Sequence, residues 1–160
     1  MAFTNAYSWL PAANVVTIFT AKTIDIAADT LNVSLYNAVT AGVTDATALY
    51  GGTQWGTEVT GTGWTGPLAL PATLAFASSA SVGTYGGVVF SAGNISVAST
   101  TISTAVYGCT IWDATISATA GPVLVVVYFG GTGYTTNNGT FGITWATSPV
   151  AGTIFTVATA

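Results

Sequence analysis

Acidic side chains are the first residues of this sequence that could take part in catalysis. Two carboxyl groups that flank a glycosidic bond form the minimum catalytic set of a glycoside hydrolase. The chain has five carboxyl side chains, and they are Asp25, Asp29, Asp45, Glu58 and Asp113. Any two acids meet this criterion on sequence. Because Asp29 and Asp113 lie at predicted strand ends, where Asp typically caps a turn, we interpret them as turn residues and keep hydrolysis as an alternative.

Other residues that could catalyse a reaction or bind a ligand are scarce. The chain has no histidine, which excludes imidazole-dependent triads and most zinc sites. The single cysteine, Cys109, cannot form an internal disulfide or complete a metal cluster, and we expect it to be a small buried residue in a strand. Lys22 is the only basic residue, too few to neutralise nucleic-acid phosphates. We therefore expect no catalytic, metal or cofactor site and no nucleic-acid partner.

Aromatic residues are the remaining candidates for a binding surface. The five tryptophans are Trp9, Trp55, Trp64, Trp112 and Trp145. Exposed aromatic rings serve carbohydrate-binding modules and protein interfaces, whereas buried ones pack in the core. Trp55 and Trp64 lie among glycines that provide little cover, so we expect them to be exposed. The predicted assembly interface consists of Trp9, Trp55, Trp64, Phe141 and Trp145.

The elements that carry these residues are strands. In residues 30–36, Leu31, Val33 and Leu35 alternate with polar residues, which is typical of a half-buried strand. Further predicted strands cover residues 14–20, about 55–60, 67–76, 84–90, 105–112, 122–129, 140–145 and 153–158. Clusters of Gly and Asn between these runs supply the positive φ that tight turns require. In TFGITW, Phe141 and Trp145 share one side, which can face solvent or a partner.

Eight to nine strands in 160 residues predict an all-β fold, a single antiparallel β-sandwich of jelly-roll-like type. One domain should span residues 1–160, with a short N-terminal arm over about residues 1–13. Residues 122–129 are apolar on both faces, so we expect a central strand there. Residues 14–20 and 153–158 are the predicted sheet edges, and residues 77–83 are a predicted loop. No apolar run approaches the ~20 residues of a membrane-spanning helix, and we expect no membrane partner.

The low charge of the chain indicates assembly. Only 4% of its residues are charged, against roughly a quarter in an ordinary domain, and thirty threonines supply most of its polarity. Charged surface usually keeps a free monomer soluble, and contiguous apolar surface marks contact sites. We therefore expect much of the exterior to be covered by other subunits. No secretory signal is visible after Met1, so we expect synthesis in a cytoplasm.

Seven local motifs follow one another along the chain, and they are MAFTNAY, ADTLNVSLYNA, EVTGTGWTG, VVF, TISTAVYGCTIWDAT, VLVVVYFGG and NNGTFGITWATSPVAGTIF. Their order resembles a family of small all-β virion proteins of tailed bacteriophages. The resemblance spans nearly the whole chain. Its relatives usually carry several charged residues in the first strand and the loops, whereas Asn32 stands here in DTLNV. This difference indicates that more of the surface is covered.

The resemblance implies a β-sandwich subunit of the virus particle without enzymatic activity. The expected role is that of a capsid decoration or cement protein, which binds the head shell in many copies. The expected partners are further copies of the chain, in a homotrimer, and the major capsid protein. The protein would be located in the virion after synthesis in the host cytoplasm. One alternative is a tail-fibre, spike or head-fibre module that contacts host glycans, and a bacterial surface-layer or outer-membrane β protein is another.

Overall fold

The structure, a computed structural model of the chain, describes residues 7–11, 14, 25–26, 28–39, 49–71, 75–82, 86–147 and 151–158. For residues 7–9, 75–76 and 157–158 it describes the backbone only. The strands are β1 (Tyr7–Trp9), β2 (Leu31–Tyr36), β3 (Leu68–Ala69), β4 (Ala75–Ser79), β5 (Gly87–Ser91), β6 (Ile95–Val106), β7 (Gly108–Asp113), β8 (Val123–Tyr128), β9 (Tyr134–Ile143) and β10 (Thr153–Ala158). A short 3-10 helix covers Thr53–Trp55.

The described strands form three antiparallel sheets. The main sheet has five strands in the order β1-β8-β7-β2-β3, and the side sheet has three in the order β10-β5-β4. Strands β6 and β9 pair with each other as a two-stranded ribbon. The predicted all-β, antiparallel, sandwich-like fold is confirmed.

The main core lies where side chains of all three sheets meet. Strand β2 directs Leu31, Val33 and Leu35 into it, as the alternation of the sequence predicts. The side sheet contributes Phe90 and the ribbon contributes Ile102, both fully buried. Because apolar burial is the dominant favourable term in folding, this shared core is what joins the sheets into one layered structure.

The opposite face of the main sheet carries a second cluster, made of Tyr36, Val39, Trp55, Trp112, Val123 and Val126. A register shift between β7 and β8 places two consecutive side chains of β8 on the same face of the sheet. Ile111 pairs with Val125 and Trp112 pairs with Val123, so Leu124 has no partner on β7. Leu124 and Val125 both face the main core, while Val123 and Val126 face the second cluster. Such a bulge is the ordinary way to change which face a side chain occupies.

Several predicted boundaries differ from the structure. Residues 55–60 were predicted as a strand, but the 3-10 helix and isolated bridges occupy this region. Residues 77–79 belong to β4 rather than to a loop. Part of the predicted N-terminal arm, Tyr7–Trp9, is an edge strand of the main sheet. Residues 15–20 of another predicted strand lie outside the described part of the chain.

The ribbon is the largest element that the sequence pattern did not predict. Strand β6 has 12 residues and β9 has 10, yet only their ends were predicted as strands. Their pairing shifts register three times, and Ser99 and Asn138 have positive φ. Each irregularity interrupts the regular alternation of side chains between the two faces of a strand, because an extra residue moves the following side chains to the other face.

Two other predictions concern the position of strands within sheets. Strand β8 is flanked by β1 and β7 and is next to the edge, while β7 occupies the centre of the main sheet. Among the described strands, β10 is an outer strand of the side sheet, as predicted for residues 153–158. Cys109 is fully buried in β7, as predicted, and burial raises the pKa of its thiol.

In the part of the chain that the structure describes, no helix has the length and apolar character required to cross a membrane.

Candidate functional site

The predicted interface residue Trp55 is buried. It lies at the end of the 3-10 helix, has no exposed surface, and donates its indole N–H to the carbonyl oxygen of Leu49 at 3.1 Å. The glycines around it do not expose it, because its ring packs in the second cluster on the main sheet. Its predicted exposure is wrong, since long-range packing rather than sequence neighbours covers the ring.

Trp64, Phe141 and Trp145 are buried as well, and all belong to the main core. The Trp64 and Phe141 rings meet edge to face with centroids 5.6 Å apart. The indole N–H of Trp145 donates to the carbonyl oxygen of Gly93 at 2.9 Å. The prediction that these rings form an assembly surface is therefore wrong, because they hold the ribbon to the core. The backbone of Trp9 pairs with Val126, and its side chain lies outside the described residues.

The acidic residues behave mainly as turn residues. Asp113 is buried, and its Oδ1 accepts hydrogen bonds from the N–H groups of Thr115 at 2.8 Å and Ile116 at 3.2 Å. Asp29 Oδ2 accepts from the N–H of Asp25 at 2.7 Å. Burial, and then the neighbouring carboxyl of Asp29, raise the pKa of Asp113 to about 6, against the opposing effect of the turn N–H donors.

The described residues include no group of three His, Cys, Asp or Glu side chains that could hold a metal ion. Asp45, one of the five acidic residues of the sequence, lies outside them.

A polar network borders the second cluster. The hydroxyl of Tyr50 donates to Glu58 Oε2 at 2.7 Å, and its ring stacks on Trp112 with centroids 4.0 Å apart. The indole N–H of Trp112 donates to Ser34 Oγ at 3.0 Å. Burial raises the pKa of Tyr36 to about 12, with Glu58 adding to the rise. The rings cover one another, so this network stabilises the segment over the sheet and leaves little ring surface for a ligand.

A cleft of about 370 Å³ opens at one end of the main sheet, and it is lined by Asn37, Ala38, Val39, Tyr107, Tyr128 and Gly131. The two tyrosines are half-buried. The backbone of Tyr107 is held on both sides, since its N–H donates to Tyr36 O and its carbonyl accepts from the N–H of Phe129, each at 2.9 Å. We call this the tyrosine cleft.

The tyrosine cleft was missed in the sequence, although a signal exists. Tyr107 is followed by Gly108, and Tyr128 by Phe129 and two glycines. Tyrosine at a strand end next to glycine is a position where a ring can stay partly uncovered, because glycine has no side chain to pack on it.

The ribbon presents an uncharged polar face. Its exposed residues are Ser96, Ala98, Ser99, Thr101, Ser103 and Thr104 on β6, and Thr135, Asn137, Asn138 and Thr140 on β9. Hydroxyl and amide groups dominate this surface, so it can make many hydrogen bonds without desolvating a charge. We call it the neutral face.

Comparisons with known proteins found no relative. The chain matches no protein-family model, and searches of curated proteins and of solved structures gave no significant match.

Proposed function

We propose that this protein is a structural protein of a bacteriophage virion and serves as a capsid decoration protein. In this role it would bind the head shell in many copies and stabilise it, as a homotrimer in contact with the major capsid protein. The order of motifs along the sequence supports the proposal. The structural observation that carries it is the neutral face of the ribbon.

The neutral face is suited to a permanent contact between subunits. It spans both strands of the ribbon and includes no charged side chain. Burying an unpaired charge in an interface is costly, whereas hydroxyl groups that find partners are tolerated. A contact of this kind depends little on salt, because screening acts on charges.

Many weak contacts acting together explain how such a protein would strengthen a shell. A bound trimer that spans a joint between capsid subunits adds free energy that must be overcome before the joint opens. Once one subunit of the trimer is bound, the others bind at a high effective concentration, so a modest contact becomes strong. An outer strand such as β10 offers a further route to association, since edge strands pair readily with other chains.

The test is assembly of the purified full chain with and without capsids. Mass is measured in low salt and in about 1 M NaCl, where the Debye length falls to about 3 Å. We expect an oligomer of the same mass in both, and co-sedimentation with phage heads that lack the protein. A monomer at both salt concentrations that does not bind capsids would contradict the proposal.

Variants that introduce a charge test which surface of the protein makes the contact with other subunits. Thr104→Lys and Thr135→Lys each place a cation on the neutral face, and we expect both to weaken assembly or capsid binding. Thr119→Lys makes the same change at an exposed turn outside the ribbon and serves as the matched control. Equal behaviour of all three variants would exclude the neutral face as the contact surface.

A second candidate function is a tail-fibre, spike or head-fibre module that contacts host glycans. The tyrosine cleft is the observation that favours it, because it offers partly exposed aromatic rings where the buried tryptophans do not.

A further inference from the structure

The tyrosine cleft is built from separate parts of the chain. Asn37, Ala38 and Val39 follow β2, Tyr107 joins β6 to β7, and Tyr128 ends β8. Backbone hydrogen bonds connect these parts, because Tyr36 O accepts the N–H of Tyr107 and Tyr107 O accepts the N–H of Phe129. Three chain segments joined through the main sheet make a preformed wall, which lowers the entropic cost of binding.

Glycines hold the two rings in place. A Cβ atom on Gly133 would lie 3.0 Å from Cζ of Tyr107, so this ring packs directly on the Gly133 backbone. A Cβ atom on Gly131 would lie 2.7 Å from the hydroxyl oxygen of Tyr128. Gly131 also has a φ of +81°, which other residues adopt only with strain. Both rings are therefore positioned by close contact with backbone.

Asn37 supplies a directed donor. Its Oδ1 accepts the N–H of Thr57 at 2.8 Å, which sets the orientation of the amide. Within the described residues, its Nδ2 group makes no hydrogen bond, and neither does the hydroxyl of Tyr107. A bound molecule would meet an N–H donor and a phenol that can donate or accept.

The chemistry of the lining selects the class of ligand. No lining residue carries a charge, and the chain has a net charge of −4 with one basic residue, so an anionic ligand is disfavoured. A volume of about 370 Å³ is at the lower end of the range for small-molecule sites, which suits about one or two sugar rings. Aromatic rings beside hydroxyl and amide groups match a ring with apolar C–H faces and a hydroxylated rim.

We propose that the tyrosine cleft binds an uncharged saccharide, with Tyr107 as the platform and Asn37 as the donor that orients it. This role is independent of capsid decoration. A particle-bound copy that leaves the cleft open would present it to neutral glycans of the host surface.

The first measurement combines saturation-transfer NMR of the ligand with protein-observed amide spectra of the full chain. Lactose, maltotriose and N,N′-diacetylchitobiose are the neutral probes, and sialyllactose is the anionic probe. We expect saturation transfer to at least one neutral probe and a shift of the Asn37 side-chain amide signals. Absence of binding by all three neutral probes, or stronger binding of sialyllactose, would overturn the proposal.

Variants then assign the binding to the cleft. Tyr107→Ala removes the platform, and Asn37→Asp keeps the acceptor for Thr57 while it removes the donor. We expect each to weaken binding about tenfold, which corresponds to a change of 1.4 kcal/mol. Tyr107→Phe should have a smaller effect. Tyr134→Phe makes that same change at a half-buried tyrosine outside the cleft and should leave the affinity unchanged.

Asn37→Asp keeps the assignment testable if Tyr107→Ala does not fold. Unchanged affinity in a folded Asn37→Asp variant would contradict the orienting role, and unchanged affinity in a folded Tyr107→Ala variant would exclude the cleft. Capsid co-sedimentation of the same variants is expected to be normal. Failure of saccharide binding and failure of capsid binding are thus observed separately.

Discussion

The two faces of the main sheet bury side chains by different means. The face toward the main core is covered by two other sheets and is lined by aliphatic residues such as Val33, Leu35 and Ile111. The opposite face is covered by the segment around residues 49–58, and its cluster includes Tyr36, Trp55 and Trp112. Aliphatic side chains carry no polar group, whereas a buried indole or phenol has one that usually finds a hydrogen-bond partner.

Several buried or stacked aromatic side chains of the loop-covered face make directed hydrogen bonds. Trp112 donates to Ser34 Oγ, Trp55 donates to Leu49 O and Tyr50 donates to Glu58. These bonds link the covering segment to itself and the sheet side chains to one another. Directed hydrogen bonds therefore supplement apolar burial on the loop-covered face.

The largest expected loss of stability comes from a substitution in the main core. Ile111 and Trp112 are neighbours in β7 that point to opposite faces. Ile111→Ala should reduce the free energy of unfolding by about 2–5 kcal/mol, because it leaves a cavity between sheets that cannot collapse. Urea unfolding followed by tryptophan fluorescence measures the loss. A loss below that of the exposed control Ile116→Ala would show that the core is not closely packed.

The second effect tests the hydrogen bond on the opposite face. Trp112→Phe keeps an aromatic ring beside Tyr50 but leaves Ser34 Oγ without its indole donor. We expect a loss of about 1–3 kcal/mol, typical of a buried polar group left unpaired. Ser34→Ala completes a double-mutant cycle in which the combined loss should be smaller than the sum of the two. Strict additivity would mean that the bond contributes nothing.

The third effect is a dependence of stability on pH that comes from Asp113, the last residue of β7. Because the pKa of Asp113 is raised from 3.8 to about 6 in the folded protein, its contribution to stability is present below pH 3.8 and is lost as pH rises through about 6. Asp113→Asn should therefore stabilise the protein above pH 6 and flatten this dependence. Chemical denaturation across this pH range measures it.

The matched control for Asp113 is Asp25→Asn, which changes an exposed carboxylate near Asp29. We expect the wild-type dependence on pH to persist in this variant. A dependence that is the same in Asp113→Asn and wild type would assign it to other groups.

The smallest effect on stability is expected from Glu58→Gln. Glutamine keeps an acceptor for the Tyr50 hydroxyl, so unfolding should change by about 1 kcal/mol or less. Burial, and then the hydrogen bond and charge of Glu58, raise the pKa of Tyr50, so this pKa should fall in the variant. Ultraviolet absorbance of tyrosinate during an alkaline titration measures it. An unchanged titration would exclude Glu58 as a cause of the raised pKa.

Local sequence patterns predicted β2 and β8 of the main sheet, whereas β1 of the same sheet was expected to be part of an N-terminal arm. The run from Leu31 to Leu35 and the apolar residues 122–129 both form strands of that sheet. Among the described strands, the predicted edge at 153–158 also agrees with the structure. The ribbon escaped prediction because register shifts near Ser99 and Asn138 break the alternation. Residues 137–139 are Asn-Asn-Gly, one of the Gly and Asn clusters that predict a turn between strands rather than the inside of one.

The candidate sites were far less predictable than the strands. Trp55 and Trp64 were predicted to be exposed because glycines surround them, yet each is covered by residues distant in sequence. The tyrosine cleft joins Asn37, Tyr107 and Tyr128. These residues are too far apart in the sequence to be recognised as one local motif.

The amino-acid sequence by itself determined the class of fold and the neutral character of the surface, since strand periodicity and charge are properties of single residues and their neighbours. The tertiary structure decided which aromatic rings are buried, how Asp113 and Asp29 come to share a site, and where a cleft remains open. Burial and pKa depend on groups brought together by long-range strand pairing, and such contacts are not encoded at any one position in the chain.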